Sequence, residues 1–215
     1  MNDAPTKTIP PSLAEMRRVM AEHRIVAGAL DDRSSRAAVA LILAGDPKDI
    51  SLCLIRRAEH EDDPWSGQMA LPGGRVDATD ADPLAAAIRE TWEEIGLRLE
   101  GAELLGPLSE MPVYARGADT GMALYSFLFV LAGEPPPLRL NQEVAEVYWL
   151  SLSHLLDPIH WDEVQYQRAG LDLRLPSIRC GEHHVWGLTY RKVRELMGLF
   201  GKVLPDDPFE ARLKG

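Results

Sequence analysis

The sequence predicts a domain of the α/β (α+β) class, and three observations carry that expectation. Residues 37–44 (AAVALILA) and 50–55 are apolar runs of strand length, separated by the turn residues Gly45-Asp46-Pro47-Lys48-Asp49. Residues 83–95 are bracketed by a helix opening at Asp82-Pro83 and a helix stop at Gly96. Beyond them, further strand-length runs lead into a last helical pattern near the C-terminal end.

Taken in order, residues 1–11 are rich in Pro and Thr and are expected to be loose. Ser12-Leu13-Ala14-Glu15 reads as a capping box, and Leu13, Met16 and Met20 follow at helical spacing, so a short N-terminal helix is expected. The runs at 37–44 and 50–55 form a hairpin entering the core. Residues 56–66 turn polar and carry Pro64, as a surface loop would, and Met69-Ala70-Leu71 is a short strand running into Pro72-Gly73-Gly74. Strands are expected at 104–108 and 124–131, with 111–121 a long irregular loop between them. Pro135-Pro136-Pro137 is a stiff connector, 146–150 (EVYWL) a final strand, and 153–156 the start of a short helix. A last helix is expected from about 185 to 200, with Val193, Leu196, Met197 and Phe200 on one face. Neither an internal repeat nor a linker between domains is visible.

Composition narrows the class of function. The chain has 215 residues, 46% hydrophobic and 26% charged, as in ordinary globular domains, and a net charge of −10. Bare nucleic acid and anionic membrane surfaces would repel it, so any phosphate recognition must be local or metal-assisted. Cys53 and Cys180 make neither a disulfide framework nor a zinc pattern. No early segment has the build of a signal peptide and no apolar run approaches a membrane span, so a cytoplasmic protein is expected. Glu182-His183-His184 lacks partner ligands at helical spacing, and there is no GxSxG turn or Gly-Lys-Ser/Thr phosphate loop.

The helix after Asp82 is where chemistry concentrates. At about 100° per residue, Leu84, Ile88, Thr91 and Ile95 share the side a core would bury. Glu90, Glu93 and Glu94 share the other, with Ala86 and Ala87 leaving room above them and Arg89 one turn before Glu93 to pair with it. Two charges about 6 Å apart repel by roughly 0.7 kcal/mol in water and by nearly 3 at an effective dielectric near 20. Fully solvated, the cluster is an ordinary wet helix face. Half buried beside a glycine turn, it asks for a cation, and carboxylates are ligands that Mg²⁺ and Mn²⁺ prefer.

Gly74, a spacer, and then Arg89-Glu90-Thr91-Trp92-Glu93-Glu94-Ile95-Gly96-Leu97 closely resemble the signature box of the Nudix hydrolases. That pattern is Gly, five residues, Glu, seven residues, then R-E-U-x-E-E-x-G-U, with U apolar. Thr91 stands at a usually aliphatic position; the early acid is Asp80, and the spacer is one residue longer. The flanks resemble the coenzyme A pyrophosphatase branch. They are Arg56-Arg57-Ala58, then Trp65-Ser66-Gly67-Gln68 leading to Leu71-Pro72-Gly73-Gly74, then Asn141–Glu146, and His184–Thr189. Trp65 and Leu71 replace the usual His and Phe of that branch.

The resemblance implies an α/β/α sandwich with a mixed β-sheet over residues 36–200, a short N-terminal helix in an extension over 1–35, a longer C-terminal helix, and a tail over 201–215. It implies metal-dependent hydrolysis of a diphosphate bond in a nucleoside diphosphate derivative, with coenzyme A or acyl-coenzyme A giving phosphopantetheine and 3′,5′-ADP. The alternatives are another such derivative (ADP-ribose, NADH, a dinucleotide) or a nucleotide-binding module without turnover. Mg²⁺ or Mn²⁺ would sit on Glu90 and Glu94, with Glu93 sharing ligation and the Gly73 or Gly74 carbonyl as a further ligand. Glu90 or Glu143 would be the base and Arg89 an orienting residue. Arg56, Arg57 and Arg75 are candidate phosphate contacts, each equally readable as a solvated arginine. Trp65 would stack on substrate or anchor its loop. Many members are dimers, so a homodimer fits the resemblance.

Overall fold

A computed structural model of the chain describes residues 8–208, apart from 26–29, 31–32, 62, 64, 116–117 and 169–170. The expectations for residues 1–7 and 209–215 and for Pro64 lie outside the described residues.

Apolar residues on both faces of the central strands dictate the layering. Strands β1 (Ser35–Ala44) and β2 (Ser51–Arg57) send Leu41, Leu43, Leu52 and Leu54 to one core and Ala40, Ile42, Cys53 and Ile55 to another. Each face therefore needs a cover. On the first lie α1 (Leu13–Glu22), α3 (Leu152–Leu156) and α4 (Gly187–Leu199), through residues such as Met16, Leu155 and Leu196. On the second lies α2 (Pro83–Ile95), through Ile95, Leu84 and Ile88. This is the α/β/α sandwich. Between β2 and α2 come the short β3 (Met69–Ala70) and β4 (Gly73–Arg75), and after α2 come β5 (Glu103–Ala115), β6 (Ala118–Val130) and β7 (Val144–Ser151). The sheet runs β3-β2-β1-β6-β5, with β4 paired to β1 and β7 to β2; it is mixed because β1 and β6 are parallel.

The pairing of β1 places the site. At its C-terminal end it pairs with β2 (Leu43↔Leu52, Ala44↔Ser51), but at its start it pairs with β4 instead (Ala37↔Arg75, Ala38↔Gly74, Val39↔Gly73). The two strands of the expected hairpin thus diverge, and β3 and β4 fill the opening. Gly73 makes this possible. Its φ is +145°, and a Cβ there would stand 2.2 Å from the Ala38 carbonyl oxygen. Ala86 and Ala87 are fully buried against Ala38, so their small size serves close packing of α2 on β1 and leaves no room above the carboxylates.

The caps of α2 agree with the sequence: Asp82 accepts from the Ala85 amide, and Gly96 takes the left-handed conformation. Ser12 caps α1 in the same way, accepting from Glu15. Thr91, on the buried face, donates its hydroxyl to the Ala87 carbonyl at 2.7 Å, which satisfies a polar group the core would otherwise penalise.

Three expectations are corrected. Residues 111–121 are not an irregular loop: the described part belongs to the long antiparallel β5–β6 pair, whose register shifts at three places. Pro107 and Pro112 are tolerated because β5 is an edge strand. The strand over 146–150 is not the last. A second sheet follows, built from β8 (Trp161–Arg168), β9 (Leu171–Cys180) and β10 (His183–Val185), reached through a short 3-10 turn (Pro158–His160). The last helix begins at Gly187, because residues 183–185 are spent on β10. No helix among the described residues is long and apolar enough to cross a membrane.

The two capping and close-approach features differ in cost. Asp82→Ala removes one side-chain cap and is expected to destabilise by about 1 kcal/mol. Gly73→Ala combines an unfavourable φ with a backbone clash and is expected to cost about 2–4 kcal/mol. Urea unfolding of the two variants checks the order; equal midpoints would contradict the tight packing of β4 on β1.

Candidate active site

The cleft opens where β1 and β2 part, and it has a volume of about 1180 Å³. Its floor is β4 with α2 behind it. Glu94 is the anchor: only 2% exposed, it accepts the Gly73 amide on Oε2 at 2.8 Å. Glu90 lies half-buried, its side chain 17% exposed, against the bare backbone of Gly74, where a Cβ would stand 2.5 Å from its Cδ. Glu93, at 50%, faces solvent. Of the two arrangements the sequence left open, a solvated face and a half-buried cluster beside the glycine turn, the structure has the second. The helix rotates Glu94 inward, and the cluster is graded from buried to exposed.

Arg89 organises the exposed side. Its Nη1 donates to Glu90 at 2.9 Å and Glu93 at 3.0 Å, its Nε and Nη2 grip Asp80 at 2.9 Å each, and Nη2 also reaches the Arg75 carbonyl at 3.0 Å. The Asp80 hydrogen bonds, above all, raise the Arg89 pKa further, and Arg89 in return holds Asp80 below the usual carboxylate range. In this structure Asp80, 5% exposed, is the arginine's partner.

Burial pushes the Glu90 carboxyl up, with Glu93 and Glu143 adding repulsion and Arg89 opposing. Burial pushes Glu94 up to about 8; the Gly73 amide and Arg57 oppose the rise, and Glu90 and Glu143 add to it. Two such carboxyls facing each other in a cleft are a natural seat for a cation. Among the described residues, no three His, Cys, Asp or Glu side chains converge into a ready-made cage. Glu90, Glu94 and nearby glycine carbonyls fit a divalent ion that completes its shell with water and substrate oxygens, as Mg²⁺ does.

The opposite rim comes from β2 and the segment before β7. A register irregularity between Arg56 and Arg57 re-aims the chain. Arg57 lines the cleft and donates twice to Asp63 Oδ2, at 2.9 and 2.7 Å, while Asp63 Oδ1 accepts the Trp65 amide. Arg56 does not line it: it pairs with Glu146 of β7 at 2.8 Å, which departs from its expected place beside phosphate. Trp65 and Arg75 both line the cleft, Trp65 also packing on the Val113–Leu124 apolar cluster. Residues 139–143 strap the C-terminus of α2: the Arg139 and Asn141 amides donate to the Ile95 and Glu94 carbonyls at 2.9 Å. The Asn141 side chain accepts the Glu143 amide, and the Glu143 carbonyl accepts the Ala58 amide, which holds Glu143 on the cleft lining.

The structure thus brings Glu90, Glu93, Glu94, Gly74, Arg89, Glu143, Arg57, Arg75 and Trp65 to one cleft. Sequence reasoning missed His60, Asp63, Tyr114 and Tyr166, which share the lining. Asp63 carried a signal, as an acid six residues beyond a cleft arginine. Tyr114 and Tyr166 lay in stretches whose strands were not recognised.

Comparison with known proteins bears on the same region. A family model described as a NUDIX domain matches residues 34–168. The chain is 33% identical over 170 residues to the uncharacterized Nudix hydrolase NudL of Enterobacter sp. (strain 638), covering 78% of this chain and 82% of that one. It is 34% identical over 181 residues to the mitochondrial coenzyme A diphosphatase NUDT8 of Homo sapiens, covering 77% and 71%. Among solved structures, a MutT/nudix family protein from Enterococcus faecalis superposes with a TM-score of 0.55 at 18% identity, over 95% of this chain and 75% of that one, a likeness of fold alone. With the glycine turn, the capped helix and its graded carboxylates in register with that match, the chain belongs to the Nudix hydrolases, a family of pyrophosphatases.

Proposed function

We propose that the protein hydrolyses the diphosphate bond of coenzyme A or an acyl-coenzyme A, releasing phosphopantetheine (or its acyl form) and 3′,5′-ADP. The observation that carries the reading is the pair Glu90, half-buried, and Glu94, buried and pushed further up by Glu90, at the floor of a cleft that also presents Arg57 and Arg75. The coenzyme A part of the reading is supported by the diphosphatase relatives from human and from Mus musculus, each 34% identical.

In this reading Glu90 and Glu94, with the Gly74 carbonyl and a share from Glu93, would hold Mg²⁺ or Mn²⁺. When bound, the ion would neutralise charge on the diphosphate oxygens. Arg57 and Arg75 would contact the non-bridging oxygens. Arg57 is held ready by Asp63, so little reorganisation is needed when substrate arrives. Arg89 stays with Asp80, Glu90 and Glu93 and orients the acids. Glu143, held over the cleft by its backbone bonds, would accept the proton of the attacking water. As the new O–P bond forms, the bridging O–P bond breaks, and the leaving phosphate carries away the electron pair.

The test is turnover of coenzyme A, hexanoyl-coenzyme A, NADH, ADP-ribose and diadenosine polyphosphates, with Mg²⁺ and with Mn²⁺. Metal-dependent cleavage favouring the coenzyme A pair is expected, and Glu94→Gln should lower kcat by about 10²-fold or more. Preference for another compound would overturn the substrate; bound nucleotide without turnover of any would overturn the reading as a whole.

Stability should report the same site. The folded Glu94 value of about 8 lies above its usual 4.5. As pH rises between those values, the unfolded chain ionises while the folded one resists, so the metal-free protein loses stability across that window. A bound divalent cation favours the ionised form and reverses this. Millimolar Mn²⁺ should therefore raise Tm by about 5 °C at pH 8.5 and by clearly less at pH 6. Glu94→Gln keeps an acceptor for the Gly73 amide and should flatten the metal response, with Tm at pH 8.5 no lower than that of the metal-free wild type. Calorimetry at the two pH values decides; an undiminished Mn²⁺ shift in the variant would remove Glu94 from the site.

A further inference from the structure

The cleft has two unlike halves. One carries the carboxylates, Arg57 and the glycine turn; the other is an apolar wall of Val113, Met122, Leu124 and Leu188. Beside that wall stand Tyr166 and Trp186, their ring centroids 6.1 Å apart. Most of the wall comes from the far part of the β5–β6 hairpin, beyond an irregularity in its pairing. From Leu108 to Met111 β5 advances three residues while β6, from Ser126 to Leu124, advances two, so β5 bulges at Ser109 and Glu110.

A bulge withdraws backbone groups from the ladder, and these groups need other partners. Helix α4 supplies them. The Ser109 amide donates to Glu195 Oε1 at 2.7 Å, and the Ser109 carbonyl accepts from Lys192 Nζ. Lys192 Nζ also donates to Glu195 Oε2 at 2.8 Å, closing a three-cornered clamp. Lys192 is fully buried and lines the cleft, and the Glu195 side chain is 19% exposed. Burying an ammonium costs several kcal/mol, and an apolar pair of similar size is often as stable, so stability by itself is a poor reason for the pair. What the clamp does is fix the point from which the hairpin sets off toward the cleft.

We propose that Lys192 and Glu195 are positioning residues: through Ser109 they set the direction of the outer β5–β6 hairpin, and so the place of an apolar subsite for the non-nucleotide arm of the substrate. The substrate class that fits is a nucleoside diphosphate bearing a long, partly apolar arm. This rests on the pyrophosphatase reading above and adds the residues that determine its selectivity.

The test is kcat and KM for hexanoyl-coenzyme A (long arm) and ADP-ribose (short, polar arm) in three proteins: wild type, Lys192→Met/Glu195→Gln, and Met122→Gln. The double variant should lose the preference for the long arm, measured as the ratio of kcat/KM values, by at least about fivefold, with the loss carried by KM. A ratio within about twofold of wild type, or equal falls in kcat for both substrates, would overturn the proposal. Should the double variant fail to fold by circular dichroism, Met122→Gln decides alone, because it alters the wall and leaves the clamp intact: the same loss is expected, and an unmoved ratio overturns the subsite. A wild type that cleaves ADP-ribose but not hexanoyl-coenzyme A also overturns it. A wild type that cleaves neither overturns the function proposed above.

Discussion

The architecture depends on a backbone contact too close for any side chain. At Gly73 the chain passes so near β1 that a Cβ would fall inside the Ala38 carbonyl, and the amide of the same residue donates to Glu94. One residue therefore joins β1, β4 and α2. Because β4 occupies the partner positions at the start of β1, β2 must leave, and the gap between the two strands is the cleft. Because α2 is drawn close over Ala38, Ala86 and Ala87, the turn of the helix that carries Glu94 is pressed into the protein, where its charge is costly. Site and strand topology have the same cause.

Charge is then distributed unequally among groups that look alike in sequence. Arg89 serves Asp80, Glu90 and Glu93 and does not reach Glu94 among its hydrogen bonds. Glu94 has a backbone amide as its donor and the field of Arg57, which Asp63 already engages. The exposed Glu93 has an arginine against it, whereas the buried Glu94 is compensated only in part. Such an imbalance disfavours the empty folded state and favours one that has taken up positive charge.

The legible part of this was local. Asp82, Gly96 and the 3.6-residue pattern place α2 without reference to the rest of the chain, and the order of Arg89, Glu90, Glu93 and Glu94 identified the family. The inward turn of Glu94 was not legible, since helical angles alone assign it to the face of Glu93; the decisive term is the neighbour β4, which the wheel does not contain. Likewise Arg56 and Arg57 are indistinguishable until a register shift sends one to Glu146 and the other into the cleft. The outer β5–β6 hairpin has the sequence of a loop because Pro112 and Gly121 interrupt its pattern, and edge pairing with bulges absorbs both. The alternation Leu171-Asp172-Leu173-Arg174-Leu175 is by contrast an ordinary strand pattern, and β9 forms there.

What separates the two halves of the cleft is also what separates local from distant information. The charged half is built from one continuous stretch, Gly73 to Glu94, with Arg57 and Glu143 brought to its rim. The apolar half draws on β5, β6, β8 and the start of α4, and its placement passes through one buried lysine that satisfies a carbonyl 83 residues away. A short motif can keep the reacting centre constant while bulges and helix contacts move the wall beside it. On the reading proposed above, chemistry and selectivity are held by different interactions in this chain, and the second can change without disturbing the first.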